Sequence, residues 1–195
     1  MLGLKLPTDP RWVNLAEKSL EEILTDHAFC EQKAASACIS IVQQYPDYEA
    51  IVDAVSPVVT EEWGHFRMVV KELKRRHLKL GRQRADRYVN ELLRFQKKGG
   101  SRDTQLLEKL LMAALIEARS CERFRLLSIG LEDEHLRSFY HEFMVSEAGH
   151  YRMFLDLAHQ YIDADTVKKR WHEWLAYEAA LMERLTPDGK RSEER

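Results

Sequence analysis

The sequence predicts an all-α protein built on four long helices, and three observations carry that expectation. Hydrophobic residues make up 45% of the 195 positions, enough for a packed core. Only eight glycines and five prolines are present, too few for the closely spaced turns of a β-sandwich or barrel. Apolar residues recur at helical spacing, and no segment alternates with period two long enough to make a strand. A core stripe at 20, 23, 24, 27, 28, 30, 34, 35, 38, 41 and 42 predicts a helix over residues 19–44. Ser56 before Pro57 reads as an N-cap with proline at the first helical position, opening a helix over 57–80. Asp47 to Val55 is then a short helix or the kinked first part of that one. A shorter amphipathic helix follows over 84–97, bounded by Gly81 and by Gly99-Gly100. Long helices are expected over 103–129 and 132–161, and a last one over 166–185. The Glu- and Arg-rich tail, 187–195, is expected to be disordered, and residues 1–195 to form one domain.

Composition removes several function classes. A net charge of -2 and a pI near 6.5 exclude a uniformly basic nucleic-acid binder, though not a local basic patch. Cys30, Cys38 and Cys121 are odd in number and form no CxxC pair, against a disulfide framework or zinc ribbon and in keeping with a reducing cytoplasm. Buried structural roles are expected for Cys30 and Cys121. The longest apolar run, Leu110 to Ile116, is far too short to cross a bilayer, and Lys5, Pro7 and Asp9 break the opening segment where a signal peptide would be apolar.

An internal repeat turns the layout into chemistry. Glu62-Trp-Gly-His-Phe-Arg-Met68 and Glu147-Ala-Gly-His-Tyr-Arg-Met153 share five of seven residues, 85 positions apart. A glutamate and a histidine three apart leave a helix in the same direction and can bind one metal ion. Two such helices facing each other can hold two ions, and the bundle pattern then asks for one further glutamate from each remaining helix. Glu31 and Glu117 are 86 apart, each about 30 residues before its ExGH partner and each in an apolar stretch. Glu22, Glu122 and the Glu132/His135 pair are the decoys. The ligand set is Glu31, Glu62, His65, Glu117, Glu147 and His150. Four carboxylates with two imidazoles favour iron first and manganese second. Either the Glu62/Glu147 or the Glu31/Glu117 pair could bridge the ions. Glycine at the same place in both repeats, Gly64 and Gly149, suggests a neighbour that approaches closely.

The phrases Leu24-Thr-Asp-His-Ala-Phe-Cys-Glu31, Ser56-Pro-Val-Val-Thr-Glu-Glu62, Leu115-Ile-Glu-Ala-Arg-Ser-Cys-Glu-Arg-Phe124 and Ser146-Glu-Ala-Gly-His150 resemble those of the bacterial tRNA-(2-methylthio-N6-isopentenyladenosine) hydroxylases. The opening Leu6-Pro-Thr-Asp-Pro-Arg-Trp12 is similar too. The resemblance implies a ferritin-like four-helix bundle with additional short and C-terminal helices. It also implies a carboxylate-bridged site of two Fe ions, with O2 as co-substrate, hydroxylating the isopentenyl group of the hypermodified adenosine beside the anticodon. An external electron-donor reductase is expected as partner, because the chain carries no flavin, nicotinamide or iron–sulfur motif.

The tRNA substrate needs a contact surface. Lys71, Lys74, Arg75, Arg76, Lys79, Arg82, Arg84 and Arg87 stand against only Glu72 and Asp86, a local positive stretch suited to phosphate oxygens. Tyr88, Phe95, Trp171 and Trp174 are expected in core packing rather than base stacking. The alternatives are a di-iron oxygenase of another substrate, an iron-storage ferroxidase, and a helical bundle with incidental metal. A monomer or a small homo-oligomer is compatible with the sequence.

Overall fold

A computed structural model describes Leu2–Leu185, the Leu15 side chain excepted, so the expectation for the tail 187–195 lies outside the described residues. Seven α-helices and no strand occur among the described residues, in two compact units. None of these helices is long and apolar enough to cross a membrane.

The unit Pro10–Ala85 contains α1 (Arg11–Lys18), α2 (Leu20–Gln44) and α3 (Glu49–Arg75). Helices α2 and α3 pack along their length as an antiparallel hairpin closed by Tyr45–Tyr48, whose rings meet edge to face at 5.6 Å. Leu24, Ala28, Ala35 and Ile41 on α2, and Ile51, Val55, Val58, Val69 and Leu73 on α3, are buried at helical spacing. Each large apolar side chain among them contributes about 1.5–3 kcal/mol on burial.

Both ends of α3 differ from the sequence expectation. Ser56 is not an N-cap: the helix is continuous from Glu49 through Pro57, the continuous form of the two left open above. Proline lacks the N–H that would bond the Asp53 carbonyl four residues earlier, and the neighbouring Ser56 adds a bond of its own, from its hydroxyl to the Val52 carbonyl at 2.6 Å. At the other end the helix stops at Arg75, not Leu80. His77 takes the left-handed conformation, φ 59. Its N–H bonds the Lys74 carbonyl at 3.0 Å and the Leu78 N–H bonds the Leu73 carbonyl at 2.9 Å. This is a Schellman termination, hidden because histidine stands where glycine would announce it. The chain then runs back along α2. Lys79 N–H bonds Glu21 at 3.1 Å, Gly81 N–H bonds Thr25 at 3.2 Å, and Arg84 donates to Glu22 at 2.6 Å and to Asp26 at 3.0 Å.

The other unit, among the described residues, comprises 2–9 and 86–185 and contains α4 (Arg87–Phe95), α5 (Arg102–Gly130), α6 (Glu134–Tyr161) and α7 (Ala164–Leu185). Helices α5 and α6 form a second antiparallel hairpin, and α7 packs on both while also receiving α4. Asp86, Ser101 and Asp133 cap α4, α5 and α6, each accepting from the backbone N–H three residues on. The Phe95 ring stacks on Tyr177 at 4.0 Å and meets Trp174 edge-on at 5.0 Å, so Phe95 and Trp174 serve packing as expected. Trp171 lies 6.2 Å from the Tyr151 ring, and the Tyr88 hydroxyl donates to Glu178 at 3.3 Å.

Buried ion pairs fasten this unit. Arg170 grips Glu108 through two bonds of 2.5 and 2.8 Å. Arg119 on α5 forks onto Glu178 of α7 at 2.8 and 2.9 Å, bonds Glu122, and holds the N-terminal segment through Thr8 Oγ1 and the Leu6 carbonyl, both at 2.9 Å.

A left-handed residue other than glycine carries about 1–2 kcal/mol of strain. Part of any relief is offset by the greater freedom glycine gives the unfolded chain. His77→Gly is therefore expected to stabilise the protein by about 0.5–1 kcal/mol in urea denaturation. A loss of stability would show that the imidazole makes contacts worth more than its strain.

Candidate metal centre

The hairpin of α2 and α3 brings three of the sequence-predicted ligands together. Glu31 comes from the middle of α2, and Glu62 and His65 lie one turn apart on α3; all three are buried. His65 Nδ1 lies 3.5 Å from Glu31 Oε2 and 3.4 Å from Glu62 Oε2. One donor atom of each residue thus falls within 4.8 Å of the others. Burial alone would push the Glu31 carboxyl up. Hydrogen bonds from His27 and His65, and the charge of His27, outweigh it and hold the group well below the usual carboxylate range. Burial pulls the other way on His65, but its hydrogen bonds to Glu31 and Glu62 raise the imidazole to about 10.

The hairpin of α5 and α6 repeats the arrangement. Glu117 lies in the middle of α5, and Glu147 and His150 are one turn apart on α6, all three buried. His150 Nδ1 is 4.0 Å from Glu147 Oε2, and one donor atom each of Glu117, Glu147 and His150 lies within 4.8 Å of the others. Both histidines turn Nδ1 toward the glutamate three residues before them.

Charge sorting singles these residues out. Among the described residues eight glutamates are buried: Glu31, Glu62, Glu72, Glu108, Glu117, Glu122, Glu147 and Glu178. Four are answered by arginine, namely Glu72 by Arg75 and Arg76, Glu108 by Arg170, and Glu122 and Glu178 by Arg119. The other four are the predicted ligands, Glu31 and Glu62 grouped with His65 in one unit, and Glu117 and Glu147 with His150 in the other. Carboxylates converging with imidazoles in a dry interior suit a divalent cation, which offsets the large penalty of burying their charge. All-oxygen and nitrogen donors fit iron or manganese.

Comparison with known proteins gives the arrangement its context. The family model described as tRNA-(MS2IO6A)-hydroxylase (MiaE) matches residues 2–191. The chain belongs to this family. A relative from Pseudomonas putida, named tRNA 2-(methylsulfanyl)-N(6)-isopentenyladenosine(37) hydroxylase, is 39% identical over 82% of this chain and 77% of its own length. One of the same name from Salmonella typhimurium is 30% identical, over 95% and 84%. Among solved structures, a Synechococcus protein described as having aldehyde deformylating oxygenase activity superposes with a TM-score of 0.86. It is 34% identical and the match covers 90% of this chain and 86% of that one. The fold class is the all-α, ferritin-like one expected from sequence.

Other expectations divide within this hydroxylase family member. Glu122 and Glu22 serve arginines, and Glu132 and His135 are exposed. Gly64 and Gly149 do not mark a close neighbour: a Cβ added at either would meet nothing within 4 Å, which overturns that inference from the repeat. Cys121 is buried, with its thiol pointed at the Met144 carbonyl at 3.3 Å, but Cys30 is exposed because the residue before Glu31 turns off the core stripe. In the basic stretch Arg75, Arg76 and Arg84 are committed to carboxylates. Lys71, Lys74, Lys79 and Arg82 are exposed and have no ion pair among the described residues, and Arg87 is exposed at the start of α4. His27, buried with Nε2 at 2.6 Å from Glu31 Oε1, was missed by the sequence reading. Its only signal there is its place one turn before Glu31.

The raised His65 imidazole sets a pH dependence. A histidine must lose its proton to ligate, and at about 10 this one keeps it through neutrality. Metal binding therefore releases a proton, and apparent affinity should rise by roughly tenfold per pH unit below that value. Equilibrium dialysis of cobalt(II) at about pH 6, 7 and 8 measures it. An affinity independent of pH would mean His65 takes no part.

Proposed function

We propose that this protein is the O2-dependent hydroxylase of the isopentenyl group on the hypermodified adenosine next to the tRNA anticodon. The observation that carries the reading is family membership across nearly the whole chain, in a protein where each unit buries two glutamates outside the arginine pairs beside a histidine. Glu31, Glu62, His65, Glu117, Glu147 and His150 would hold two Fe ions. Bound iron supplies the redox chemistry that activates O2 against an unactivated carbon, which side chains cannot do. The balance is substrate C–H, O2, two electrons and two protons in, and C–OH and one water out. The electrons come from an external donor protein, and the natural setting is the cytoplasm, as a monomer or small homo-oligomer.

The chain's own residues do the rest. The four carboxylates offset the cations' charge, and each imidazole fixes one ion. Burial keeps bulk water from the reacting carbon. Lys71, Lys74, Lys79, Arg82 and Arg87, together with Arg75, Arg76 and Arg84, form the tRNA contact. Phosphate contacts position an RNA without reading it, and a modified base in an exposed loop is readily splayed outward.

Mass spectrometry of tRNA nucleosides from cells with and without the protein tests the reading. Deletion should abolish the hydroxylated nucleoside and accumulate its precursor, and Glu147→Ala should fail to restore it. An unchanged nucleoside profile, with deformylation of an aldehyde instead, would favour the activity described for the Synechococcus neighbour. Reversing Lys71, Lys74 and Lys79 to Glu should raise KM for tRNA about tenfold or more and lower the log–log salt slope by about three, one per phosphate contact. Iron content should not change. An unaltered slope would move the contact elsewhere.

A further inference from the structure

The two half-sets are alike in their ligands but not around them. On α2, His27 lies one turn before Glu31, buried, with Nε2 only 2.6 Å from Glu31 Oε1. The other Glu31 oxygen, Oε2, is the one turned to His65 Nδ1 at 3.5 Å. The repeat offset that carries Glu31 onto Glu117 carries His27 onto Ala113, whose methyl cannot donate a hydrogen bond. A second break points the same way. The far side of His65, Nε2, looks toward Glu61 at 4.0 Å, and the position matching Glu61 in the other repeat is Ser146.

We propose that His27 is a positioning residue: its imidazole ties Oε1 of Glu31, leaving Oε2 as the single oxygen for the metal and making the ion of the Glu31 half-set unlike the ion of the Glu117 half-set. The proposal rests on the metal reading of these six residues, not on the tRNA reading. Its physical basis is pre-organisation. A free glutamate side chain samples several rotamers and can offer one oxygen or two. A buried hydrogen bond of 2.6 Å to one oxygen fixes the carboxylate plane and favours one-oxygen ligation over bridging through both. Partners of this kind hold ligands in orientation, and their loss typically lowers metal affinity about 10–100-fold. Glu117 lacks a histidine at the matching place, so its carboxylate is oriented by other means. Two ions held by similar ligands in unlike settings differ in affinity and in electronic environment, which lets one position be filled or oxidised before the other.

The test compares wild-type protein with His27→Ala and His27→Gln, the glutamine amide being able to donate one hydrogen bond in place of the imidazole. Anaerobic ferrous-iron titration by calorimetry, with 57Fe Mössbauer spectra of the loaded protein, reads each ion without turnover. Wild type should bind two ions in two classes of unequal affinity, with two distinct ferrous signals. His27→Ala should weaken one class by about 10–100-fold and change one signal, leaving the other class intact. His27→Gln should recover most of that loss. Equal weakening of both classes, or none in either variant, overturns the proposal. If His27→Ala does not fold, His27→Phe, which fills the space without a hydrogen-bond donor, takes its place: one weakened class supports the role, and two classes unchanged from wild type refute it. A wild type that binds no iron sinks the metal reading and this inference together, whereas an iron-replete wild type that leaves tRNA unmodified sinks only the substrate assignment.

Discussion

Burying carboxylates is the constraint around which this chain is organised. An isolated buried carboxylate costs several kcal/mol even after relaxation, and each long helix carries at least one. The protein meets that demand in two chemically different ways. Arginine forks close off Glu72, Glu108, Glu122 and Glu178 with fixed positive charge and directed hydrogen bonds. At Glu31, Glu62, Glu117 and Glu147 the neighbours are imidazoles, which can give up a proton and their place to a cation. A guanidinium cannot do that. The division separates carboxylates closed off by arginine from those able to hold a metal, and neither burial nor helix position alone would draw it.

The two helix hairpins are variations on one design. Each presents a glutamate in the middle of its first helix and an ExGH turn on its second. The exchange of His27 for Ala113 and of Glu61 for Ser146 changes only what lies behind the ligands. The repeat thus presents two similar sets of candidate ligands, with unlike residues around them.

Much of this was legible in the sequence because the candidate ligands obey spacing. The 85-residue repeat and the 86-residue offset named Glu31, Glu62, His65, Glu117, Glu147 and His150, and the structure gathers them into two buried triplets. Glu122 illustrates where burial patterns mislead: it is as buried as a ligand but its partner is Arg119, a pairing visible only once α5 has formed. Helix ends were harder to read. Ser56-Pro57 carries the residues of an N-terminus, yet packing of the preceding turn keeps the helix going. His77 ends α3 with no glycine to mark the place. His27 escaped because the repeat was the guide and it has no counterpart in the second copy. The paired glycines were over-read, since a recurrent small residue need not mean a crowded one.

The turn at His77 also shapes the segment beyond it. By reversing the chain, it lets Lys79 to Arg84 lie back on α2, fastened through Glu21, Glu22, Thr25 and Asp26. Backbone amides of Lys79 and Gly81 make two of those bonds, so the Lys79 side chain takes no part in them. The Lys79 ammonium and the Arg82 guanidinium are therefore presented from an already ordered backbone, on side chains that stay in water. An anion arriving there would meet charges whose main-chain entropy was surrendered when the protein folded. The ordering penalty that a floppy basic loop imposes on every encounter is largely absent from each binding event.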